Sequence, residues 1–255
     1  MKMKTRPFRE KMKAEILEVF TPRSWVHAVW EGGSAATGFL DDFSDLDLVA
    51  VVEDERVEDA FRLFEEYLED TYGIDRCFRV PEPAWHGHSQ SFYFVGGAPP
   101  LFYIDFLVEK LSSTDRLLEP ERHGSAVIWL DTEGVFDRSA IPDGNLREKQ
   151  SRYLDTLARS LPLAVTEVRK QIARGNSIDA VSQYQRFVAA RLAGLLNLKY
   201  RPAQFDFGIR YAERAYPPEV NRQLRELLYL ESFDDLPPAL EKAAAWADDL
   251  LKELL

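Results

Sequence analysis

The sequence predicts an α+β protein, in which an N-terminal domain with a mixed β-sheet flanked by helices precedes a C-terminal α-helical bundle domain. Two observations lead to this prediction. Short apolar runs rich in β-branched and aromatic residues alternate with helical patterns as far as residue 130. From residue 146 onward, apolar residues recur only at helical spacing. The turn-rich span 131–145 lies between these parts, and we therefore expect two domains, residues 1–140 and 141–255.

Length, composition and charge limit the classes of function. The chain has 255 residues, of which 45% are hydrophobic, and this is enough to bury a sizeable core. We expect neither a transmembrane helix nor a signal peptide, and the single cysteine, Cys77, excludes an intrachain disulfide, so a cytoplasmic protein is expected. The formal net charge is −11, which disfavours nucleic acid as a partner and is compatible with either simple solubility or a small cationic ligand.

The first 80 residues predict two helices and three strands. Phe8, Met12 and Ile16 recur at helical spacing, and the following Thr21-Pro22 ends that helix. The β-branched apolar run that begins at Leu46 is typical of a buried strand. In chain order, the predicted elements are a helix at 7–20, strands at 25–30 and 46–52, a helix at 55–72 and a strand at 74–80.

The next 50 residues predict a loop and three more strands. The loop opens at Pro81 and carries His86 and His88, which lack a third soft ligand, so a polar loop is favoured over a zinc site. Strands are predicted at 91–95 and 101–108, and the Gly- and Pro-rich segment between them predicts a hairpin. A further strand is predicted at 126–130.

The C-terminal part predicts a bundle of helices. Residues 146–174 predict either one long helix or a kinked pair with its break at Pro162, and a further helix is expected at 177–199. Tyr184 is more typical of a core position than of a base-stacking one. A connector is expected at 201–208, followed by helices near 207–215, 218–230 and 237–254.

The segment between the first two strands is the one that predicts chemistry. A glycine turn at Gly32-Gly33 lets the backbone approach a ligand closely, and a short helix is predicted to follow it. Either Ser34 only caps that helix, or the free N–H groups there also hold phosphate oxygens. Asp45 and Asp47 then lie two residues apart at the start of a strand, so their side chains share a face. Two acids side by side at the start of an apolar strand are costly, and a shared divalent cation would offset that cost.

A third acid, Asp105, lies in the middle of the predicted strand 101–108, where its neighbours are apolar or aromatic. A carboxylate in that setting requires a partner or a metal ion. Two alternatives remain open from the sequence. Asp105 can pair with an arginine elsewhere in the chain, or the metal-binding or base role can belong to Glu109.

The motif resembles the signature of the nucleotidyltransferase superfamily related to DNA polymerase β. That signature is a Gly-Ser turn, a short spacer and Asp-x-Asp at the start of a strand, and ten residues separate Ser34 from Asp45 here. One departure is Thr37, where an arginine is common, which leaves one positive charge fewer beside the phosphates. The fuller pattern of the small bacterial members matches at Gly33, Ser34, Ala36, Gly38, Ser44, Asp45, Asp47 and Leu48.

The domain order resembles the small-molecule adenylyltransferases of the aminoglycoside and lincosamide types. This resemblance implies transfer of a nucleoside monophosphate, AMP from ATP, to a hydroxyl of a small acceptor with release of pyrophosphate. Asp45, Asp47 and Asp105 would bind two Mg²⁺ ions, with Asp105 as third ligand or base, whereas Gly33, Ser34 and Ser44 would bind the nucleotide. In the resembled proteins nucleotide and acceptor bind between the domains, and the candidate phosphate contacts from the helical side are Arg186, Arg191, Lys199, Arg201 and Arg210.

The sequence leaves the acceptor and two other functions open. The acidic balance and the aromatic residues of 85–103 favour a cationic, sugar-like acceptor such as an aminoglycoside, and modification of such an antibiotic would confer resistance. Alternatively, the acceptor is a protein side chain, as for small antitoxin-type members, or the chain is an inactive nucleotide-binding regulatory module. We expect a nucleoside triphosphate and a small molecule as partners, no nucleic acid or membrane, and a monomer or homodimer.

Overall fold

The computed structural model describes residues 5–116, 118–132, 134–138 and 145–255. The chain divides into two compact units, Met1–Pro142 and Asp143–Leu255. The boundary predicted between residues 140 and 141 lies outside the described residues. Within the described ranges, all strands belong to the first unit and the second unit is helical, which confirms the predicted α+β class. No helix of these ranges is long and apolar enough to cross a membrane.

The first unit contains six strands and five helices in its described part. The predicted strands are confirmed, with shifts of at most three residues at their ends. The short helix predicted after the glycine turn is confirmed as α2, whereas α4 and α5 have too few residues to show a helical period and were not predicted. The elements are α1 (Thr5–Phe20), β1 (Val26–Glu31), α2 (Gly33–Thr37), β2 (Leu46–Val52), α3 (Val57–Thr71), β3 (Ile74–Arg79), β4 (Ser89–Val95), β5 (Ile104–Lys110), α4 (Pro120–His123), β6 (Val127–Asp131) and α5 (Val135–Arg138).

The six strands form one mixed sheet in the order β3-β4-β5-β2-β1-β6. The pair β2 and β5 is parallel, and every other neighbouring pair is antiparallel. The predicted hairpin is confirmed as β4 and β5. Its second strand begins at Ile104 rather than at residue 101, because Leu101 lies at φ 70° and cannot continue an extended strand.

Helices α1 and α3 pack on one face of the sheet. Met12 and Ile16 from α1 and Phe64 from α3 lie in the same core as Phe106 of β5. Because side chains alternate along a strand, Leu46, Leu48 and Ala50 of β2 enter this core. The residue between Leu46 and Leu48 therefore faces the opposite side of the sheet.

The second unit contains the remaining helices. Pro162 lies inside one continuous helix, so the single long helix is confirmed and the break at Pro162 was wrong. Pro162 is exposed, and Leu161, Ala164 and Val165 beside it are buried in the core of the unit, so packing holds the helix together across the proline. The helices are α6 (Leu146–Ala173), α7 (Ser177–Gln183), a π-helical segment (Tyr184–Ala189), α8 (Ala190–Tyr200), α9 (Ala212–Ala215), α10 (Pro218–Leu228) and α11 (Leu236–Leu254).

The helix predicted near 207–215 was also wrong in extent, since only α9 forms there. Tyr211 lies at φ 64°, a left-handed conformation that a right-handed helix cannot include. Fully buried Asn197 of α8 instead organises this segment. Its Nδ2 donates to the carbonyl of Gly208 at 2.8 Å, and its Oδ1 accepts from Arg201 Nε at 2.6 Å and from the Tyr216 hydroxyl.

We expect Asn197→Leu to lower the free energy of unfolding by about 3 kcal/mol, because the buried groups that it bonds lose their partner. Urea unfolding followed by far-ultraviolet circular dichroism measures this change. Asn176→Leu, at an exposed position before α7, is the control and should change stability by less than about 0.5 kcal/mol. Equal losses in the two variants would contradict a special role for Asn197.

Candidate active site

The sheet brings Asp47 and Asp105 side by side. Strands β2 and β5 are parallel, and Asp47 is the direct partner of Asp105 in their ladder. Neighbouring strands lie about 4.8 Å apart, and equivalent positions point to the same face. Asp45 precedes β2 by one residue, and its charge acts on both other carboxylates. The three acids singled out in the sequence are therefore neighbours in the structure.

The glycine turn packs directly against Asp47. The backbone N–H of Gly32 donates to the carbonyl of Asp47 at 2.9 Å, and the N–H of Ser34 donates to the Asp47 carboxylate. Gly33 lies at φ 51°, and a Cβ on it would lie 1.7 Å from Asp47 Oδ2. Only glycine fits at position 33, because both the backbone conformation and the close approach exclude a side chain.

We expect Gly33→Ala to lose nucleotide binding, because the new methyl group must displace the Asp47 carboxylate or open the turn. Calorimetric titration with an ATP analogue measures the loss, which should exceed tenfold in affinity, or about 1.4 kcal/mol. Gly38→Ala is the matched control, since that position also has positive φ but has open space where its Cβ would lie. Equal binding by the two variants would contradict the role of the Gly33 contact.

Burial and neighbouring negative charge raise the pKa of two carboxylates of this site, Asp47 and Asp105. Burial, followed by the charges of Asp45 and Asp105, raises the pKa of Asp47 to about 7, although Arg9 and the Ser34 N–H oppose the shift. Burial also raises the pKa of Asp105 to about 6, and a hydrogen bond from Gln90 opposes that shift. The site thus holds negative charge that its own residues do not fully compensate.

Arg9 of α1 is a cation beside this site, and no pattern in the sequence indicated its role. Its side chain is buried, forms an ion pair with buried Glu31 at the end of β1, and directs Nη1 to the carbonyl of Ser44 at 3.5 Å. Burial lowers the pKa of the Arg9 guanidinium, whereas the charges of Asp47 and Asp45 raise it. An arginine on an amphipathic helix is ordinarily exposed, so the helical pattern alone did not distinguish Arg9 from its neighbours.

Two neighbouring side chains, those of Tyr103 and Ser44, hold Asp45 and the turn before it in place. The Tyr103 hydroxyl, immediately before β5, forms a hydrogen bond with Asp45, and burial together with this bond raises the tyrosine pKa. Ser44 is buried, and its hydroxyl accepts from the N–H of Asp41 at 2.9 Å and donates to Asp41 Oδ1 at 3.1 Å. The Ser44 hydroxyl therefore closes the turn that leads to Asp45, and the nucleotide contact predicted for Ser44 stays a prediction.

The donor set suits a hard divalent cation. Three carboxylates are oxygen ligands of the kind that Mg²⁺ takes. The Ser34 Oγ is buried next to Asp47 without a hydrogen-bond partner in the described part of the chain, which favours a ligand at this point. As the side chains lie, no group of three or more His, Cys, Asp or Glu residues among those described is arranged to hold a metal ion. Asp47 and Asp105 instead accept hydrogen bonds from Ser34 and Gln90.

The structure accounts for the alternatives left open for Asp105. Its carboxylate bonds Gln90 rather than an arginine. Glu109 lies four residues further along β5, about 13 Å away. It is fully buried and forms an ion pair with Arg116 at 3.2 Å, and burial raises its pKa to about 8. Glu109 therefore belongs to an internal pair rather than to the group of three aspartates.

The residues predicted from the helical side are engaged within the second unit. Lys199 pairs with Glu253 at 2.6 Å, and Arg191 Nε donates to the Ser160 hydroxyl at 2.8 Å. Tyr184 is fully buried, and its hydroxyl donates to the carbonyl of Leu227, as expected for a core residue. Guanidinium groups of three further candidates lie beside groups of the same unit, namely Arg186 at the Phe187 ring, Arg201 at Asn197 and Arg210 at Tyr211.

The first unit is thus a mixed-sheet α+β fold with three acids beside a Gly-Ser turn. No protein-family model matches the chain, and no curated protein matches it. One similar solved structure is an aminoglycoside 6-adenyltransferase from Bacillus subtilis, with 12% identity over 95% of this chain and 88% of that chain and a TM-score of 0.40. A nucleotidyltransferase-like protein from Exiguobacterium sibiricum 255-15 has 14% identity over 96% of this chain and 75% of that chain, with a TM-score of 0.39.

A third similar structure is a spectinomycin adenyltransferase from Enterococcus faecialis with ATP and spectinomycin. Its identity is 11% over 96% of this chain and 98% of that chain, and its TM-score is 0.37. At these identities and TM-scores the likeness carries no weight for the activity of this chain. The function must be inferred from the side chains of the site.

Proposed function

We propose that the protein is a Mg²⁺-dependent nucleotidyltransferase that moves AMP from ATP to a hydroxyl group of a small acceptor and releases pyrophosphate. The observation that supports this proposal is the pairing of Asp47 with Asp105 across two parallel strands, with Asp45 and the Gly33-Ser34 turn against them. A merely structural site would not gather three carboxylates beside an arginine, Arg9, that is already paired with Glu31, since each desolvated charge that is not fully compensated costs stability.

In the reaction, the acceptor oxygen forms a bond to the α-phosphorus of ATP, and the bond from that phosphorus to the bridging oxygen of the β-phosphate breaks. Pyrophosphate leaves, and Asp105, next to Asp47 on the neighbouring strand, would take the acceptor hydroxyl proton as general base. The Gly33 N–H and the Ser34 hydroxyl would orient the β- and γ-phosphates, whereas the Ser34 N–H is already donated to the Asp47 carboxylate.

Asp45 and Asp47 would hold Mg²⁺, with Asp105 as third ligand. The bound metal would neutralise charge on the phosphates and would lower the pKa of the acceptor hydroxyl. The protein's own contribution is positioning: the rigid ladder between β2 and β5 fixes the base relative to the metal ligands. The acidic site and the net charge of −11 favour a cationic acceptor, such as an amine-bearing sugar.

Calorimetric titration with an ATP analogue that carries a methylene bridge between the α- and β-phosphorus tests the proposal. We expect wild type to bind it only when Mg²⁺ is present, and Asp45→Asn/Asp47→Asn not to bind it. A screen of hydroxyl-bearing amines scored by pyrophosphate release then identifies the acceptor. Absence of Mg²⁺-dependent binding by wild type, to this or any other nucleoside triphosphate analogue, would overturn the proposed function.

A further inference from the structure

A chain of hydrogen bonds leads from the loop before β4 to Asp105. Gln90 of β4 lies opposite Leu107 of β5, diagonal to Asp105 across the antiparallel ladder. Its Nε2 donates to Asp105 Oδ1 at 2.7 Å, and its Oε1 lies 3.1 Å from Nε2 of His86. The backbone N–H of His88 in turn donates to Nδ1 of His86 at 3.1 Å.

The directions of these bonds determine the orientation of each group. A backbone N–H can only donate, so Nδ1 of His86 must accept, and the proton of the neutral imidazole must lie on Nε2. Nε2–H then donates to the Gln90 carbonyl oxygen, which directs the Gln90 amide nitrogen toward Asp105. With the Gln90 amide flipped, its oxygen would face the Asp105 carboxylate and its NH₂ group would face the Nε2–H of His86. Neither pair could then form a hydrogen bond, so the flipped orientation is excluded.

The loop that carries His86 is itself held in place. The His86 ring stacks on that of His88, with 5.6 Å between centroids and 20° between planes, and the edge of Trp85 packs against it at 5.2 Å. His88 is buried, with its Nε2 3.8 Å from Oε1 of Glu109, and Glu109 is paired with Arg116. The buried Glu109 pair thus anchors the loop rather than serving the chemistry.

We propose that Gln90 is a positioning residue for Asp105 and that His86, as its Nε2–H tautomer, orients Gln90. This inference rests on the proposed function, since the plane of the Asp105 carboxylate matters for a metal ligand and base. Residues that hydrogen-bond the ligands of a metal hold those ligands in position. Replacing such a residue typically weakens metal binding tenfold to a hundredfold. Neither His86 nor Gln90 needs to touch substrate or metal in this role.

Binding of Mn²⁺ in the presence of the methylene-bridged ATP analogue, followed by electron paramagnetic resonance, tests the role. We expect Gln90→Met, which keeps the length of the side chain and removes the amide, to weaken Mn²⁺ binding about tenfold. His86→Leu should weaken it about threefold, and His86→Gln, which restores a donor near the position of Nε2, should recover most of that loss. Gln150→Met, which removes the same amide from α6, is the control and should have no effect.

The double variant Gln90→Met/His86→Leu separates this chain of bonds from two independent effects. If His86 acts through Gln90, the double variant binds Mn²⁺ as Gln90→Met does, whereas independent roles would add. Additive losses, or unchanged binding by Gln90→Met, would overturn the inference and leave the proposed function intact. Failure of wild type to bind Mn²⁺ would instead overturn both. Long-range ¹⁵N correlation spectra of wild type must also show His86 protonated at Nε2, and an Nδ1–H signal would overturn the inference without any variant.

Discussion

Replacing Asp47 with asparagine is expected to abolish Mg²⁺-dependent nucleotide binding and, at the same time, to make the ligand-free protein more stable. The carboxylate is buried against Asp45 and Asp105, and its pKa is raised to about 7. Asparagine has nearly the same shape and can still accept the N–H of Ser34, but it carries no charge. A shift of one pKa unit corresponds to 1.36 kcal/mol, so the rise from 3.8 to about 7 predicts a gain of about 4 kcal/mol above pH 7.

The pH dependence of this gain has a definite sign. The pKa of Asp47 is higher in the folded protein than its ordinary value of 3.8, so the folded state binds the proton more tightly than the unfolded state does. Wild type therefore loses stability as the pH rises from about 4 to about 7. The gain in stability of Asp47→Asn over wild type should therefore be absent near pH 4, increase between about pH 4 and about pH 7, and stay constant above about pH 7.

Urea unfolding at a series of pH values measures the gain, and calorimetry measures the loss of binding. Asp75→Asn, at an exposed position on β3, is the control and should show neither effect. With Mg²⁺ and the ATP analogue present, wild type should become the more stable protein, since only wild type binds them. A variant that unfolds at lower urea than wild type above pH 7, or that binds nucleotide normally, would contradict this account.

The local pattern of the sequence was sufficient to predict the strands and the two aspartates of the motif. The apolar run that begins at Leu46 predicted a buried strand, and Leu46 and Leu48 do lie in the core. The same pattern contains no information on which strands are neighbours. The parallel pairing of β2 with β5, which brings Asp105 to Asp47, depends on contacts between residues about 60 positions apart.

The residues that support the site were not predictable, because each is polar by itself and acquires its role only through a distant partner. Arg9 belongs to the helix before the motif, Gln90 follows a histidine loop, and Tyr103 lies in an aromatic run. Only the fold brings them to Glu31, Asp105 and Asp45 respectively. In the second unit, the expectation that a proline breaks a helix was wrong at Pro162. Helix α6 continues through this residue, although proline has no backbone N–H to donate, because the neighbouring residues are packed in the core.

Arg9→Met is expected to cause the largest loss of stability of any single change near the site. Both Arg9 and Glu31 are buried, and the variant leaves the Glu31 carboxylate in the protein interior without its cation. Breaking a buried ion pair by removing one partner costs about 3–5 kcal/mol. The variant also removes a cation that lowers the pKa of Asp47, so the repulsion among the three aspartates should increase. Urea unfolding followed by tryptophan fluorescence measures the loss.

A double variant distinguishes the cost of the unpaired charge from the cost of altered packing. Arg9→Met/Glu31→Leu removes both charges and keeps apolar volume at both positions, so it should recover most of the stability lost in Arg9→Met. Arg6→Met, at an exposed position one turn earlier on α1, is the control and should change stability by less than about 0.5 kcal/mol. If the double variant is no more stable than Arg9→Met, the loss comes from packing of the long arginine side chain. In that case Arg9 would not be the counter-charge of this site.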